Sequence, residues 1–257
     1  MSDSLVHWHI EGRTSKVTLD SPDNRNALSG ALLEQLLTAL QRAGADAVTR
    51  VIWLGHTGDV FCSGADLKEQ LQTFRQTGAS PGAGGLVPIL EELRNSPKPV
   101  VAEVRGAVRG GGMGLVAASD IVIASESSTF GFSEARVGVV PAVIAVPVLE
   151  RIGRAAALEL FLTGRPFSSA EALRAGLLTR VVPSEQVERE MATVLAELLK
   201  AAPGAQAQIK RLISRVPGLA PEIAYSEMVS LSQRLFSGPE GQEGMAAFRE
   251  RRPPDWA

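Results

Sequence analysis

Three short stretches carry residue types whose spacing suits chemistry at an oxygen that gains negative charge. The first is RGAVRGGGMGLVAASDIVIA, residues 105–124, where Gly110, Gly111 and Gly112 follow an extended-type run (Val100, Val101, Val104) and precede helix-forming residues 115–118. Glycine lets a ligand approach the main chain and admits positive φ. The first turn of a helix adds N–H groups without intrahelical partners and a partial positive charge. A tight turn or a close helix–sheet contact is the other reading of these glycines. The second stretch, HTGDVFCSGADLKEQ, sets the small residues Gly64 and Ala65 before a helix-forming run from Asp66 to Gln76, a second point where backbone N–H groups stand free. The third, SSTFGFSEARVG, places Glu134 after Phe130, Gly131, Phe132 and Ser133 and before Val137, Val139 and Val140. A carboxylate among such neighbours loses water, its pKa rises, and it becomes fit to trade protons near neutrality. An ion pair with Arg136 is the competing reading.

Other chemistries fail on spacing or on composition. G-x-G-x-x-G counted from Gly110 ends on Leu115, and no lysine follows the glycines as a P-loop requires. The single cysteine, Cys62, excludes an internal disulfide, and nothing ties His56 to it as the base that a thiol nucleophile needs. No CxxC or HExxH spacing exists, so no metal is expected. The chain has 257 residues, 45% hydrophobic and 21% charged, with a net charge of −2 and a pI near 6.0. That describes an ordinary globular chain, long enough for a sizeable core and without the basic excess that nucleic acid favours. One cysteine, no basic-then-apolar leader and no run of about 18 apolar residues make a reducing, cytoplasmic setting without a membrane the expectation.

The surrounding pattern predicts the elements that hold these stretches. Val6, Trp8 and Ile10 alternate with His7, His9 and Glu11, and Val17 and Leu19 alternate with Lys16 and Thr18, so a hairpin is predicted around Gly12 and Arg13, with His7 and His9 on its wet face. SPDNRNAL, residues 21–28, is turn chemistry. Ser29 caps a helix marked by Leu32, Leu33, Leu36, Leu37 and Leu40, and Gly44 stops it. Residues 51–54 read as a buried parallel strand, which makes a crossover unit. Residues 77–85 read as a mobile loop, 86–93 as a short helix ended by SPKP, and 100–104 and 121–124 as strands. From Val143 the pattern turns helical, with Gly164 as punctuation, a capping box at Ser168 and Glu171, a stop at Gly176 and extended chain at 179–183. Four helical segments follow, 185–200, 205–216, 222–236 and 240–251, divided by Pro203, Pro217, Pro221 and Pro239. No internal repeat is visible.

FCSGADLKE, GAVRGGGMGLVAASDIVIA and STFGFSEARVGVVP, in that order, resemble the enoyl-CoA hydratase/isomerase (crotonase) superfamily. NRNALS, LTGRPFSSAEALRAGLLTRVVP and EGMAAFRERRPPDW extend the resemblance over nearly the whole chain. It implies an α/β fold: a crotonase-like ββα spiral core over residues 1–195 with the acyl-CoA pocket, and a C-terminal helical region over 196–257 that builds trimers, commonly stacked into hexamers. It also implies an acyl-CoA thioester substrate and no metal or redox cofactor.

By the same resemblance, main-chain N–H groups at Ala65 and Gly111 hold the thioester oxygen, with Gly64, Asp66, Gly110 and Gly114 around them. Glu134 falls on one of two family glutamate positions, and the other falls on Gly114. Asn26 and Ala27 serve the adenine end through main-chain contacts. Lys68 serves the pantetheine or phosphates, and Phe248 and Arg251 reach the CoA of a neighbouring subunit. A solvated face is the alternative for Lys68 and Arg251. PAVIAVP at residues 141–147 replaces the family's glycine-rich segment, so Val143 and Ile144 reshape the acyl wall. Hydration of a 2-enoyl-CoA is the first expectation. Isomerisation of 3-enoyl-CoA to 2-enoyl-CoA by a single base is the second, favoured by Gly114, and a catalytically reduced acyl-CoA binding protein is the third.

Overall fold

A computed structural model describes residues 4–78 and 83–256. Of the expected loop at 77–85, residues 79–82 lie outside the described residues. The strands are β1 (Val6–Glu11), β2 (Thr14–Leu19), β3 (Val51–His56), β4 (Val60–Cys62), β5 (Val100–Val104), β6 (Ala107–Arg109), β7 (Ile121–Ser125), β8 (Thr129–Gly131), β9 (Phe167–Ser168) and β10 (Arg180–Val182). The helices are α1 (Gly30–Ala45), α2 (Leu67–Thr77), α3 (Val87–Asn95), α4 (Gly111–Ala118), α5 (Ala142–Leu149), α6 (Arg154–Thr163), α7 (Ser169–Arg174), α8 (Val187–Lys200), α9 (Pro203–Arg215), α10 (Pro221–Ser237) and α11 (Pro239–Glu250).

The strands form a large sheet in the order β1-β2-β3-β5-β7-β10 and a small one in the order β4-β6-β8-β9. The β1–β2 hairpin is antiparallel, with Val6 opposite Leu19, and every later pair of the large sheet is parallel. One unit recurs three times: a strand of the large sheet, a short strand of the small sheet, then a helical segment. The units are β3-β4-α2, β5-β6-α4, and β7-β8 with the 3-10 turn Ser133–Val137. This is the ββα spiral, a repeat of shape with no repeat of sequence.

Alternation along the central strands explains why both faces of the large sheet are covered. Ile52, Leu54, Val100 and Ala102 face α1, α3 and α4, packing with Leu32, Leu36, Ile89 and Met113. Val51, Val101 and Ile123 point the other way, against Val187, Met191, Val194 and Leu195 of α8. Each buried Val, Leu, Ile or Met among them contributes about 1.5–3 kcal/mol of apolar burial. Beyond α8, the helices α9 to α11 bury only Gln206 and Ala247 among the described residues, while Ile213, Tyr225, Phe236 and Phe248 stand exposed. Lys210 of α9 ties that arm to the core through Asp120 Oδ2 at 2.6 Å and the Lys98 carbonyl at 3.1 Å.

The Ser29 cap and the Ser168–Glu171 capping box form as their sequences require. α1 ends at Ala45, one residue past the stop expected at Gly44, which is within the ordinary fraying of a helix end. Pro203, Pro221 and Pro239 start helices rather than merely dividing them, since a first-turn residue needs no N–H. The strand before the glycines is β6 of the small sheet, not the run at 100–104. The helical stretch after Val143 is interrupted by the short β9, while the extended chain expected at 179–183 forms as β10, paired with β7 at the sheet edge.

Candidate active site

The site is assembled at the ends of short elements that the small sheet holds together. Residues 21–28 wind through a 3-10 turn at Pro22–Asn24 and two positive-φ residues, Arg25 and Asn26. Buried Asn26 secures the loop. Its Oδ1 accepts from Ser21 N–H at 2.7 Å, and its Nδ2 donates to the carbonyls of Thr57 and Val60 at 3.1 and 2.8 Å. Leu28 then bridges to the segment after β4, its N–H donating to Gly64 O at 2.8 Å and its carbonyl accepting from Asp66 N–H at 3.4 Å. Both bonds belong to the neighbours of Ala65, so the N–H of Ala65 itself turns to the opposite side of that bridge.

On that side lies the start of α4. Gly64 at φ +96° and Gly110 at φ +49° approach so closely that a Cβ on Gly110 would stand 3.3 Å from Gly64 Cα and 3.7 Å from Glu134 Oε1. Here the glycine type is a requirement of contact. Gly112 is equally forced, since its Cβ would fall 2.7 Å from Cys62 Cβ. Gly111 and Gly112 open α4, and first-turn N–H groups have no intrahelical acceptor. The segments carrying Ala65, Gly111 and Glu134 therefore meet in one place.

Glu134 sits at the start of the 3-10 turn that follows β8. Its Oε2 is buried and has no hydrogen-bond partner among the described residues. Burial pushes its pKa above the usual carboxylate value, opposed by a bond from its own backbone N–H. Arg136 does not pair with it; its Nε donates to the Thr163 carbonyl at 3.0 Å and its stem packs against Gly164. Cys62 is fully buried, with burial pushing its thiol up to about 12, so no thiolate nucleophile stands here. Among the described residues no group of three or more His, Cys, Asp or Glu is placed to hold a metal. His7 and His9 are exposed and pair with Asp20 and Glu11.

Gly114, one turn further along α4, is sealed. A Cβ there would lie 2.6 Å from Ile144 Cγ2, 3.2 Å from Ile144 Cβ and 3.3 Å from Leu90 Cδ2. Ile144, expected only as part of the acyl wall, fills the space that a side chain at Gly114 would need. Leu28 and Leu86 close the same helix face at Gly111. Leu28 and Leu90 carry no signal in the sequence beyond their hydrophobicity.

The remaining expected residues fall elsewhere. Asp66 is the N-cap of α2, with Oδ1 accepting from the N–H groups of Lys68 and Glu69 at 3.0 and 3.1 Å. Lys68 and Arg75 line one face of α2 two turns apart. Asn26 and Ala27 are buried with their N–H groups bonded to Ser21 O and Asn24 O, so what they can offer a ligand is a carbonyl. Phe248 lines a separate apolar cleft of about 640 Å³ with Leu235, Met245 and Trp256, and Arg251 caps α11. Neither joins the junction around Glu134 within the chain.

Fold and junction together define a spiral α/β protein in which two main-chain segments, each suited to present amides, meet at one desolvated carboxylate. The family model for enoyl-CoA hydratase/isomerase matches residues 10–257. The carnitinyl-CoA dehydratase of Proteus mirabilis is 31% identical over 100% of this chain and 99% of its own. The mitochondrial enoyl-CoA hydratase domain-containing protein 3 of Rattus norvegicus is 33% identical, covering 94% of this chain and 80% of the relative. Among solved structures, an enoyl-CoA hydratase/isomerase from Marinobacter aquaeolei superposes with a TM-score of 0.90 at 32% identity, over 98% of both chains. The chain belongs to the enoyl-CoA hydratase/isomerase family.

Proposed function

We propose that the chain adds water to the double bond of a 2-enoyl-CoA thioester through an enolate. The observation that carries this reading is the Glu134 carboxylate beside Gly110, its buried Oε2 without a hydrogen-bond partner among the described residues, where the segments bearing the Ala65 and Gly111 amides converge. The thioester oxygen accepts from those two amides, each worth roughly 2.7–4 kcal/mol as charge develops on it. Water attacks C3 and gives one proton to Glu134, while the π electrons pass through C2 to the thioester oxygen. Glu134 then returns that proton to C2 and the thioester re-forms. General acid–base work of this kind contributes about 10²–10⁴-fold. Names of relatives, hydratases and a carnitinyl-CoA dehydratase, support water addition or removal.

One observation favours a second reading. With Ile144 seated on Gly114, the second family position holds no acid to share the work of Glu134. A single base suffices to take a proton from C2 of a 3-enoyl-CoA and deliver one to C4, moving the double bond to C2–C3. Incubation with crotonyl-CoA and with 3-hexenoyl-CoA, followed by chromatography, separates the two reactions. Turnover of neither would overturn both and leave an acyl-CoA binding protein.

Substrate binding and assembly extend this proposal. Lys68, aided by Arg75, attracts the CoA phosphates, and Asn26 and Ala27 meet the adenine through main chain. Gly64, Asp66 and Gly114 shape the site without touching the proton. A core at 1–195 is joined by a C-terminal region at 196–257 that brings together three chains, or six as paired trimers, with Phe248 and Arg251 serving a neighbour's CoA. Exposed Tyr225, Phe236 and Phe248 support that assembly. The chemistry needs no cofactor beyond the substrate's own CoA, and nucleic acid is not a partner. No helix among the described residues is long and apolar enough to cross a membrane, and a cytoplasmic setting is proposed.

A further inference from the structure

We infer that Arg151 is a positioning residue for the oxyanion site, holding the carbonyl end of α4 so that the Gly111 amide at the other end stays aimed. This rests on the enolate reading above. Arg151 follows α5 and spends its guanidinium on main-chain oxygens around the end of α4. Its Nε donates to Ala117 O at 2.7 Å, its Nη2 to Ser119 O and to Asp120 O (the latter at 3.2 Å), and its Nη1 to Leu177 O at 3.4 Å. A planar fork of fixed donors does what a flexible ammonium cannot: it fixes several carbonyls at once.

The helix it holds has unusual need of an anchor. α4 spans only eight residues, and a helix of that length is not stable by its own hydrogen bonds. It starts on three consecutive glycines, Gly110 to Gly112, which leave backbone freedom where the ligand-facing amides lie. No side chain caps its N-terminus. Orientation must come from neighbours. Ile144 and Leu90 press on Gly114 in the middle of the helix. At the carbonyl end, Ser119 Oγ donates back to Leu115 O at 2.9 Å, a bond within the same short segment. Asp120, just past that end, is held by Val100 N–H and by Lys210 of α9, while Arg151 ties the α4 carbonyls themselves to the segment after α5 and to the loop at Leu177. A cation at a helix C-terminus also favours the dipole that a developing anion meets at the N-terminus.

The test uses the full chain with acetoacetyl-CoA, a thioester whose enolate absorbs in the near ultraviolet, and butyryl-CoA, which forms no comparable enolate. Wild-type protein is expected to raise the enolate fraction of bound acetoacetyl-CoA. Arg151→Met is expected to lower the ratio of bound enolate to bound neutral ligand about tenfold, one unit in the apparent pKa of the bound ligand. Butyryl-CoA affinity should stay within about twofold of wild type because ground-state binding uses other contacts. Arg151→Lys should recover part of the loss. A folded Arg151→Met or Arg151→Lys variant with an unchanged enolate fraction, or with both ligands weakened equally, would overturn the positioning role. If Arg151→Met does not fold, the Arg151→Lys measurement decides. Wild-type protein that leaves acetoacetyl-CoA un-ionised would instead sink the enolate reading itself, and the two failures are told apart by that control.

Discussion

Replacing Glu134 by glutamine keeps the shape of the side chain and removes its ability to carry a proton. The structure gives the base no deputy: Arg136 is committed to Thr163, Gly114 carries no acid, and Cys62 is a buried thiol. Turnover should therefore fall by the whole acid–base contribution, about 10²–10⁴-fold, or roughly 3–5 kcal/mol of barrier, while affinity for a saturated acyl-CoA stays nearly unchanged. Stability should move the other way. Burial raises the folded-state pKa of Glu134 above its ordinary value of 4.5, so the folded chain holds this proton to higher pH than the unfolded chain does. Its contribution favours folding fully below that ordinary value and is lost as pH rises through the folded one. Glutamine has no such loss. Melting curves of both proteins should lie closest together near about pH 4 and separate in favour of Glu134→Gln toward about pH 8. The wild-type rate should also fall on the acid side, where the base is protonated. A variant with wild-type turnover, or a melting difference that does not change with pH, would refute the assignment of Glu134 as a desolvated base.

Gly114→Glu alone should not install a working second acid: its Cβ would meet Ile144 Cγ2 at 2.6 Å, an overpacking cost of about 1–3 kcal/mol, so the melting temperature falls, and Ile144→Gly in the same chain recovers part of it. Asn26→Ala removes three hydrogen bonds, leaving the Ser21 N–H without its acceptor and depriving the Thr57 and Val60 carbonyls of the Asn26 donor. Chemical denaturation should register a loss of about 2–3 kcal/mol, with activity reduced because Leu28 no longer holds Gly64 in place. Cys62 should resist a maleimide in the folded protein and react at the rate of unfolding, as mass spectrometry over time would record. Ser168→Ala breaks the capping box of α7 and should cost about 0.5–2 kcal/mol in a thermal melt without touching the rate.

The parts of this molecule written in local pattern were legible. Period-two alternation marked the hairpin, leucines at helical spacing behind Ser29 marked α1, and the apolar runs marked β3, β5 and β7. The small sheet was not legible, because β4, β6, β8 and β9 are two or three residues long and too short to show a period. At the site, glycines and a lone acid between aromatics and valines marked three segments that the fold brings together. What no local signal held was their mutual distance. Nor could it show that Ile144, on a different helix, occupies the volume above Gly114, or that Arg151 reaches back to Ala117. Such facts belong to the packed chain, and the residues responsible look like ordinary members of their own segments.

The prolines that begin α9, α10 and α11 have a consequence for the C-terminal arm. A residue before proline is pushed out of helical geometry, and Ala202, Ala220 and Gly238 are all extended, so the three rods cannot fuse into one shaft. With little burial of their own, they are held like links of a folding rule by a few cross-ties: Glu240 of α11 accepts from the Gly204 and Ala205 N–H groups of α9, and Arg215 of α9 pairs with Glu227 of α10. Adding one residue inside α10 would swing α11 by about 100° and pull Trp256 away from Arg13 and Arg50 of the core, whose guanidinium groups donate to its carbonyl.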